Sequence, residues 1–336
     1  MKIAIVGGGV AGSYLAQLLK DKHDIVVYER QERNKFFPIC AWGTSLNELR
    51  QLAGKIGLNF DDYVYHVGKR MLVQVKEEII EIKLKGLCTF DKLRFIKDMH
   101  RDVRLVYGSR ITRPPNDGSD LIIDATGFNR ILLPRIRRDY YIPTVEYRVK
   151  YRDPPFDDFY IRPIDKLSGY LWYFPLDEGI YHVGAGDYYK NHEKYLNEFL
   201  QKYKGEILMK IGRPVRITPP HLSTPILDGN IIGVGESVGT VYPILGEGII
   251  PSMQSAEILA KHIENNSLDK YPEDIMSHFD IFYKLFVFIQ KKVSGKFRLM
   301  RDFGLLISPI FYMKRREERF GLEVRLRDWL KIVRSY

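Results

Sequence analysis

The chain has 336 residues, 45% of them hydrophobic, so it is long enough to bury a full core as one large domain or two smaller ones. Its longest apolar stretches, such as residues 303–313, fall well below the roughly 20 residues that a membrane-spanning helix needs, so no such helix is expected. The formal net charge of +10 predicts an anionic partner. The sequence contains no zinc-finger or RNP-type motif, so we do not expect nucleic acid to be that partner.

The cysteine and histidine content gives no sign of a metal. Cys40 and Cys88 lie far apart in the chain, and the eight histidines show no ligand spacing. We therefore expect neither a disulfide framework nor a metal site. The first residues run directly into a strand pattern without the features of a secretory leader, so a cytoplasmic location is expected.

The first predicted elements form a βαβ unit around a glycine motif. A β-rich apolar run is followed by Gly7, Gly9 and Gly12 in a G-x-G-x-x-G, then by a helical stretch and a second apolar run that ends at Glu29. In such a unit the first glycine permits a tight turn, the second lets a pyrophosphate approach the helix N-terminus, and the third allows close helix packing. An acid at the end of the second strand can bind ribose hydroxyls, so the unit predicts a dinucleotide site.

The middle of the chain is predicted to be mostly sheet. Alternating residues between 64 and 90 indicate antiparallel strands, residues 90–99 a helix, and a strand ending at Asp124 leads to Gly127, where close backbone approach needs small residues. From about 140 to 225 the chain is rich in Tyr, Pro and strand patterns, with one helix near residues 193–204. This composition is typical of a sheet that covers a substrate.

Residues 233–249 (GVGESVGTVYPILGEGI) fit two interpretations. Gly235 to Gly239 spell the G-x-S-x-G of a hydrolase nucleophile elbow, and the same segment also fits a glycine-rich cradle for a flavin. An elbow needs a helix directly after the serine, whereas here Pro243, Gly246 and Gly248 come before any helix. The pattern favours the cradle, with the first glycine loop on the pyrophosphate of FAD and the second on its flavin ring.

The last 46 residues carry a basic excess. Residues 291–336 contain 13 Lys and Arg against 5 Asp and Glu, with aromatic and aliphatic residues interleaved. A solvated helical face and an anionic membrane surface both explain this pattern. We expect peripheral association with the inner face of the cell membrane.

The two glycine segments resemble FAD-dependent oxidoreductases of the para-hydroxybenzoate hydroxylase type. The run Tyr170 to Pro175 (YLWYFP), followed after eight residues by Gly184-Ala185-Gly186, resembles the YxWxFP…GxG signature of the geranylgeranyl reductase family. The resemblance covers about residues 1–265. It implies an α/β fold: a Rossmann-type FAD-binding domain, an inserted antiparallel β-sheet substrate domain and a helical C-terminal region.

These motifs suggest a division of the chain into three parts. The FAD-binding domain is expected to be discontinuous, at residues 1–63, 86–135 and 226–265. The substrate or catalytic sheet takes residues 64–85 and 136–225. A helical, basic region follows at 266–336.

The resemblance and the glycine motifs together imply a set of site residues. The cofactor residues are Gly7, Gly9, Ala11, Gly12, Glu29, Arg30, Cys40, Ala41, Gly43, Lys92, Gly127, Glu236, Gly246, Gly248 and Ile249. Three positions depart from the family pattern: Cys40-Ala41-Trp42-Gly43 replaces a Cys-Gly pair, Lys92 an arginine, and Glu236 an aspartate. Glu keeps the charge of Asp with a longer reach, whereas Lys loses the bidentate geometry of Arg.

The implied activity is reduction of C=C bonds in the polyprenyl chain of a lipid or isoprenoid quinone by reduced FAD. The implied substrate residues are Tyr170, Trp172, Phe174, Pro175, Gly184 and Gly186, and the implied catalytic residues are Cys40, Tyr170 and Trp172. Taken alone, Cys40 fits a small buried hydrophobe as well as a catalytic thiol. The electron donor, NAD(P)H or ferredoxin, stays open. The alternatives are a flavin monooxygenase on the same scaffold and a membrane-associated flavoprotein with a mainly binding role.

Overall fold

A computed structural model describes residues 1–298 and 300–336. The strands in this part of the chain are β1 (Lys2–Val6), β2 (Asp24–Tyr28), β3 (Gly43–Ser45), β4 (Val64–Val67), β5 (Arg70–Val75), β6 (Glu78–Lys83), β7 (Leu87–Phe90), β8 (Arg104–Val106), β9 (Leu121–Asp124), β10 (Tyr141–Lys150), β11 (Phe159–Pro163), β12 (Gly169–Pro175), β13 (Ile180–Asp187), β14 (Glu206–Arg216), β15 (Leu227–Asp228) and β16 (Ile231–Gly233). The helices are α1 (Val10–Leu19), α2 (Leu46–Gly54), α3 (Lys92–Met99), α4 (His192–Lys202), α5 (Ile249–Glu264), α6 (Tyr271–His278), α7 (Asp280–Val293), α8 (Phe303–Lys314), α9 (Glu317–Phe320) and α10 (Leu326–Ser335).

The first sheet is the predicted Rossmann-type unit. Its strand order is β15-β16-β9-β1-β2-β8, and every neighbouring pair is parallel except β15 and β16. β1 and β9 are nearly continuous apolar runs, as expected of parallel strands that are covered on both faces. Strands from the start, middle and late parts of the chain thus join in one sheet, which places both glycine segments at its carboxyl edge.

The second sheet has seven strands in the order β14-β10-β13-β12-β11-β5-β6. All pairs are antiparallel except β11 with β5. Because side chains alternate along a strand, β12 places Leu171 and Tyr173 in an apolar core with α4. Tyr170, Trp172 and Phe174 point to the other side of the sheet. The predicted fold class, a Rossmann-type domain with an inserted antiparallel sheet and C-terminal helices, is confirmed.

A third, three-stranded sheet departs from the predicted division of the chain. Residues 64–67 were expected in the substrate sheet, but β4 pairs with β7, which also pairs with β3. The alternating pattern predicts a strand at these residues without naming its partner, because pairing depends on residues far away in the chain. Of the predicted range 64–85, only β5 and β6 belong to the seven-stranded sheet.

The C-terminal helices pack onto the rest of the protein. The Gly321 carbonyl accepts hydrogen bonds from the backbone N–H groups of Lys85 (2.7 Å) and Leu87 (3.0 Å). Ser45 Oγ donates to the Glu318 carbonyl at 2.9 Å. Residues 317–321 are therefore built into the edge of the three-stranded sheet. Within the described residues, no helix is long and apolar enough to cross a bilayer.

The carboxylate of Glu317 connects this docked segment to its surroundings. It lies 2.6 Å from Lys85 Nζ and 2.6 Å from Lys314 Nζ, and it accepts a hydrogen bond from the Val324 N–H at 2.8 Å. Burial opposes ionisation, but the hydrogen bonds from Lys314, Lys85 and Val324 outweigh it and lower the pKa of Glu317 to about 2.

We predict that acid loosens the docking of residues 317–324. Because the folded pKa of Glu317 lies below the unfolded value, its stabilisation is present above about pH 4.5 and is lost as pH falls towards 2. The protection of the Lys85 and Leu87 amides against hydrogen exchange, relative to an unstructured peptide at the same pH, should therefore fall across this range. In Glu317→Gln the exchange should already be faster at pH 7 and change less with acid. An identical acid response in both proteins would contradict this role.

Candidate cofactor and substrate site

The first glycine loop is closed against β9 and open on its outer side. Gly7 has a φ of +112°, and a Cβ atom there would lie 2.3 Å from the Ala125 carbonyl oxygen. A Cβ atom at Gly12 would lie 2.1 Å from the Gly7 carbonyl oxygen. At Gly9, which precedes α1, a Cβ atom would meet no atom within 4 Å. The loop thus leaves free space at the helix N-terminus, where a phosphate group is best bound.

Two side chains from other elements hold this loop in place. Glu29 at the end of β2 is buried, and its Oε2 accepts a hydrogen bond from the Gly8 N–H at 2.9 Å. His100 Nε2 lies 3.0 Å from the Gly8 carbonyl oxygen and 2.9 Å from Ser13 Oγ. Burial lowers the pKa of His100. Sequence reasoning assigned no role to His100, since a lone histidine at the end of α3 carries no motif.

The late glycine segment reaches the first loop directly. A Cβ atom at Gly235 would lie only 2.7 Å from the Ala11 Cβ in α1. The neighbouring Glu236 is buried, and its Oε2 lies 2.5 Å from Arg213 Nη2 on β14. Gly127 lies on the same side, since a Cβ atom there would be 3.5 Å from Glu236 Oε2. Three predicted cofactor positions, Ala11, Gly127 and Glu236, are thereby close to one another.

The structure does not support the nucleophile elbow. Ser237 is fully buried, and its Oγ lies 2.6 Å from the Asp124 carbonyl oxygen and 2.9 Å from the Val234 carbonyl oxygen. Only a short 3-10 turn contains this serine, and α5 does not begin until Ile249. The hydroxyl is therefore a structural link between β9 and the late segment.

The loop that precedes α5 meets the signature strand β12. The hydroxyl of Tyr170 donates a hydrogen bond to the Leu245 carbonyl, and it would be 3.7 Å from a Cβ atom at Gly246. Burial raises the pKa of Tyr170, and the nearby Cys40 and Glu247 raise it further. Gly248 and Ile249 begin the 16-residue helix α5. Tyr170, Cys40 and this helix N-terminus therefore share one region.

A buried polar group fixes the orientation of Trp172. The indole Nε1 donates to Glu146 Oε2 at 3.0 Å, and His182 Nδ1 lies 2.6 Å from Glu146 Oε1. Arg148 Nε donates to His182 Nε2 at 3.1 Å. A Cβ atom at Gly184 would lie 2.3 Å from the Trp172 ring. Gly184 of the signature thus has to be a glycine, because the indole of Trp172 lies across β13 at this position.

Phe174 and Trp42 complete the aromatic side of the site. A Cβ atom at Gly43 would lie 2.8 Å from the Phe174 ring, so Gly43 and Phe174 are in contact. Trp42, the residue that departs from the family pattern, has a φ of +61° and is buried between Arg148 (4.4 Å to the ring centroid) and His182 (5.1 Å between ring centroids). Sequence reasoning missed the residues Glu146, Arg148 and His182, which no local motif distinguishes.

Several predicted residues lie elsewhere or have less distinctive surroundings. Pro175 is on the opposite side of β12 from Tyr170, and its carbonyl accepts a hydrogen bond from Thr89 Oγ1, so it joins β12 to β7. Gly186 packs against Thr144 on β10. Arg30 is exposed, whereas Ala41 is half-buried beside Cys40. Lys92 at the start of α3 is 8% exposed, and among residues 1–298 and 300–336 its ammonium has no ion-pair partner.

These features fit an elongated anionic cofactor. The space at Gly9 and the helix N-terminus suit a pyrophosphate, and the Lys92 side chain, which has no ion-pair partner among the described residues, suits a negative charge. Among the described residues, no group of three or more His, Cys, Asp or Glu side chains could hold a metal ion.

Comparison with known proteins agrees with this geometry. Residues 5–34 match the NAD(P)-binding Rossmann-like domain family. An uncharacterized protein of Methanocaldococcus jannaschii is 26% identical and matches 91% of this chain and 94% of its own length. A digeranylgeranylglycerophospholipid reductase of Thermoplasma acidophilum is 28% identical over 43% of this chain and 41% of its own length. Less than half of that reductase is therefore matched.

A solved structure from Thermoplasma acidophilum, described as geranylgeranyl bacteriochlorophyll reductase-like, covers 99% of this chain and 95% of its own with a TM-score of 0.72 and 18% identity. At that identity the likeness shows a shared fold. The same fold occurs in PqsL of Pseudomonas aeruginosa, a probable FAD-dependent monooxygenase, with a TM-score of 0.65, 16% identity and 91% and 99% of the two chains covered. At 16% identity this second likeness also shows the fold alone.

We predict that alanine affects stability at one glycine of the first loop and FAD binding at another. Gly12→Ala should lose about 1–3 kcal/mol of unfolding free energy, because its Cβ would overlap the Gly7 carbonyl oxygen. Gly9→Ala should unfold at the native temperature, since its Cβ meets open space and its φ is −79°. Its affinity for FAD should nevertheless fall by about tenfold or more, because the methyl group occupies the phosphate position. Thermal unfolding and FAD titration measure both effects; native FAD affinity in Gly9→Ala would contradict the assignment.

Proposed function

We propose that the protein reduces C=C bonds in the polyprenyl chain of a lipid or an isoprenoid quinone, using FAD. The observation that carries the proposal is the contact between the signature strand and the loop before α5. Tyr170 donates to the Leu245 carbonyl, and Trp172 lies beside it with 5.8 Å between the two ring centroids. An aromatic surface therefore adjoins the end of the site where the flavin ring is expected.

FAD would be held at both ends of the site. The space at Gly9 takes the pyrophosphate, Glu29 is close enough to the loop to bind ribose hydroxyls, and Lys92 adds a positive charge. The N-terminus of α5, at Gly248 and Ile249, faces the flavin end. Reduced FAD supplies the hydride for the reaction.

The aromatic residues of the chain suit the charge that this reaction develops. Proton addition to an unactivated alkene leaves positive character on the more substituted carbon, and aromatic π faces stabilise a nearby cation. The hydrogen bond from Trp172 to Glu146 fixes the direction of the indole ring. The chain thus provides a preoriented aromatic surface.

A proton donor is also required, and Cys40 and Tyr170 are the nearby candidates besides an ordered water. The Tyr170 hydroxyl is protonated at neutral pH, and its raised pKa makes it a weak acid. Cys40 is half-buried and close enough to affect the pKa of both Tyr170 and Arg213. The electron donor is an external NAD(P)H or ferredoxin, which separate anaerobic reduction assays distinguish.

The likeness to PqsL favours a second candidate, an FAD-dependent monooxygenase. The two activities differ in whether reduced flavin reacts with O₂ or with an alkene. NADPH-dependent incorporation of oxygen into a product would support the monooxygenase. A third candidate is a membrane-associated flavoprotein with a mainly binding role, which liposome binding without lipid turnover would support.

With a chemical reductant, we predict that the protein adds one H₂ per double bond to a geranylgeranyl lipid or quinone, detected by product mass. Trp172→Ala should keep the flavin spectrum and slow the chemical step roughly 30-fold, if the ring contributes about 2 kcal/mol to stabilising the transition state. Tyr173→Phe is the matched control, because Tyr173 lies on the other side of β12 and donates to the Phe156 carbonyl. Equal turnover in Trp172→Ala and Tyr173→Phe would remove Trp172 from the site.

We also propose that an anionic bilayer is a partner, and that it contacts α8. Phe303 and Phe311 are 54% and 55% exposed, two helical turns apart, and exposed basic residues lie at both ends of the helix: Lys296, Arg298, Arg301, Lys314, Arg315 and Arg316. Two of these six, Lys314 and Arg301, also contact Glu317 and Asp302, and further basic residues of the region, such as Lys291, are paired within the protein. The proposed surface is therefore narrower than the basic segment predicted from sequence.

Binding to liposomes that contain anionic lipid should weaken with salt, since each well-placed basic residue contributes roughly 1 kcal/mol. Phe303→Ser with Phe311→Ser should reduce binding by removing the apolar contact. Ile79→Ser is the matched control, because Ile79 is 55% exposed but lies on β6. Sedimentation with liposomes measures the effect. Equal binding to neutral liposomes, or unchanged binding of the double variant, would contradict the membrane contact and indicate that α8 is an ordinary solvated surface.

A further inference from the structure

The loop between Gly239 and Gly248 is held by side chains from two distant parts of the chain. Tyr170 of β12 donates to the Leu245 carbonyl. From the C-terminal region, Arg319 Nη1 lies 2.9 Å from both Oε1 and Oε2 of Glu247. Glu247 is the central residue of the Gly246-Glu247-Gly248 motif, so this ion pair ties the predicted flavin end of the site to α9.

The Glu247–Arg319 pair is shielded from solvent. Both side chains are 13% exposed, and within the described residues Arg319 is the one cation paired with Glu247. Burial raises the pKa of Glu247, whereas the Arg319 charge acts in the opposite direction. Removal of Arg319 would therefore leave a largely buried carboxylate without its counter-ion, which is strongly destabilising.

The position of Arg319 is fixed independently of Glu247. Ser45 Oγ donates to the Glu318 carbonyl at 2.9 Å, and Asn47 Nδ2 donates to Glu318 Oε2 at 2.7 Å. The following Gly321 carbonyl accepts the Lys85 and Leu87 amides. Phe320 is buried and packs against Tyr312 of α8, with 6.1 Å between the ring centroids. Arg319 thus extends from a rigid segment towards the loop.

The first half of the loop is packed into the core, where Tyr242 is fully buried, whereas its tip at residues 244–248 is less buried. Its internal hydrogen bonds run from the Tyr242 N–H to the Glu247 carbonyl (2.8 Å) and from the Gly246 N–H to the Tyr242 carbonyl (2.9 Å). Gly246 has a φ of +61°. Fixing a glycine in one conformation costs more entropy than fixing any other residue, so this position favours disorder unless contacts hold it. The ion pair at Glu247 therefore acts on the tip of the loop, which is the part that the core holds least.

We infer that the C-terminal segment completes the cofactor site, and that Arg319 is a positioning residue that holds the Gly246–Gly248 loop and the start of α5 in the conformation that receives the flavin ring. This inference rests on the proposed binding of FAD. It assigns to residues 317–321 a role inside the site, distinct from the membrane contact proposed for α8.

The test compares Arg319→Met, Arg319→Lys, Glu247→Gln with Arg319→Met, and the control Arg325→Met. Arg325 forms a more exposed pair with Glu323 at 2.7 Å. Hydrogen exchange of the Tyr242 and Gly246 amides in FAD-free protein reports on the loop, and FAD titration reports on the site. Arg319→Met should accelerate exchange and weaken FAD binding, each by about tenfold or more.

The other variants separate positioning from general destabilisation. Arg319→Lys should recover part of the lost affinity, because it restores the charge without the guanidinium geometry. The double variant should bind FAD better than Arg319→Met alone, because it leaves no unpaired carboxylate. Native loop exchange in Arg319→Met, or equal effects in Arg325→Met, would overturn the inference. Failure of the native protein to bind FAD would instead overturn the proposed function, while the exchange data would still test the loop contact.

Discussion

The site depends on one close approach between the two glycine segments. Gly235 lies so near α1 that a Cβ atom there would be 2.7 Å from the Ala11 Cβ. Residues more than two hundred positions apart thereby form one cradle. The Gly235 N–H donates to Ser255 Oγ on α5, which connects this contact to the helix that begins at Ile249. The two helix N-termini can then act on a single bound molecule.

The seven-stranded sheet faces this cradle with a side that combines aromatic rings and buried charge. The Glu146 carboxylate is almost fully buried, and a buried carboxylate is costly unless its hydrogen-bond partners are well placed. Here the carboxylate accepts the Trp172 N–H and thereby fixes a ring of the signature. The polar group therefore stabilises one orientation of an apolar surface, which links the core of the sheet to its proposed chemistry.

Sequence reasoning could predict the parts of this structure that are encoded locally. The βαβ opening follows from apolar periodicity and a glycine motif, and the signature at Tyr170 identifies the strand that meets the loop before α5. It could not predict that β4 pairs with β7, or that Arg319 pairs with Glu247 across 72 positions, because both depend on tertiary packing. The basic composition of the C-terminal region fits a solvated surface equally well, so it did not predict that residues 317–321 are docked onto the three-stranded sheet.

A crystal structure of the protein with FAD tests the central claim most directly, which is that both glycine segments and the signature strand serve one cofactor. The account predicts the pyrophosphate beside Gly9 and the flavin ring at the N-terminus of α5, next to Tyr170 and Trp172. A complex in which the adenosine part occupies the first loop while the flavin ring points away from β12 would contradict it. So would FAD that binds without contacting the Gly246–Gly248 loop.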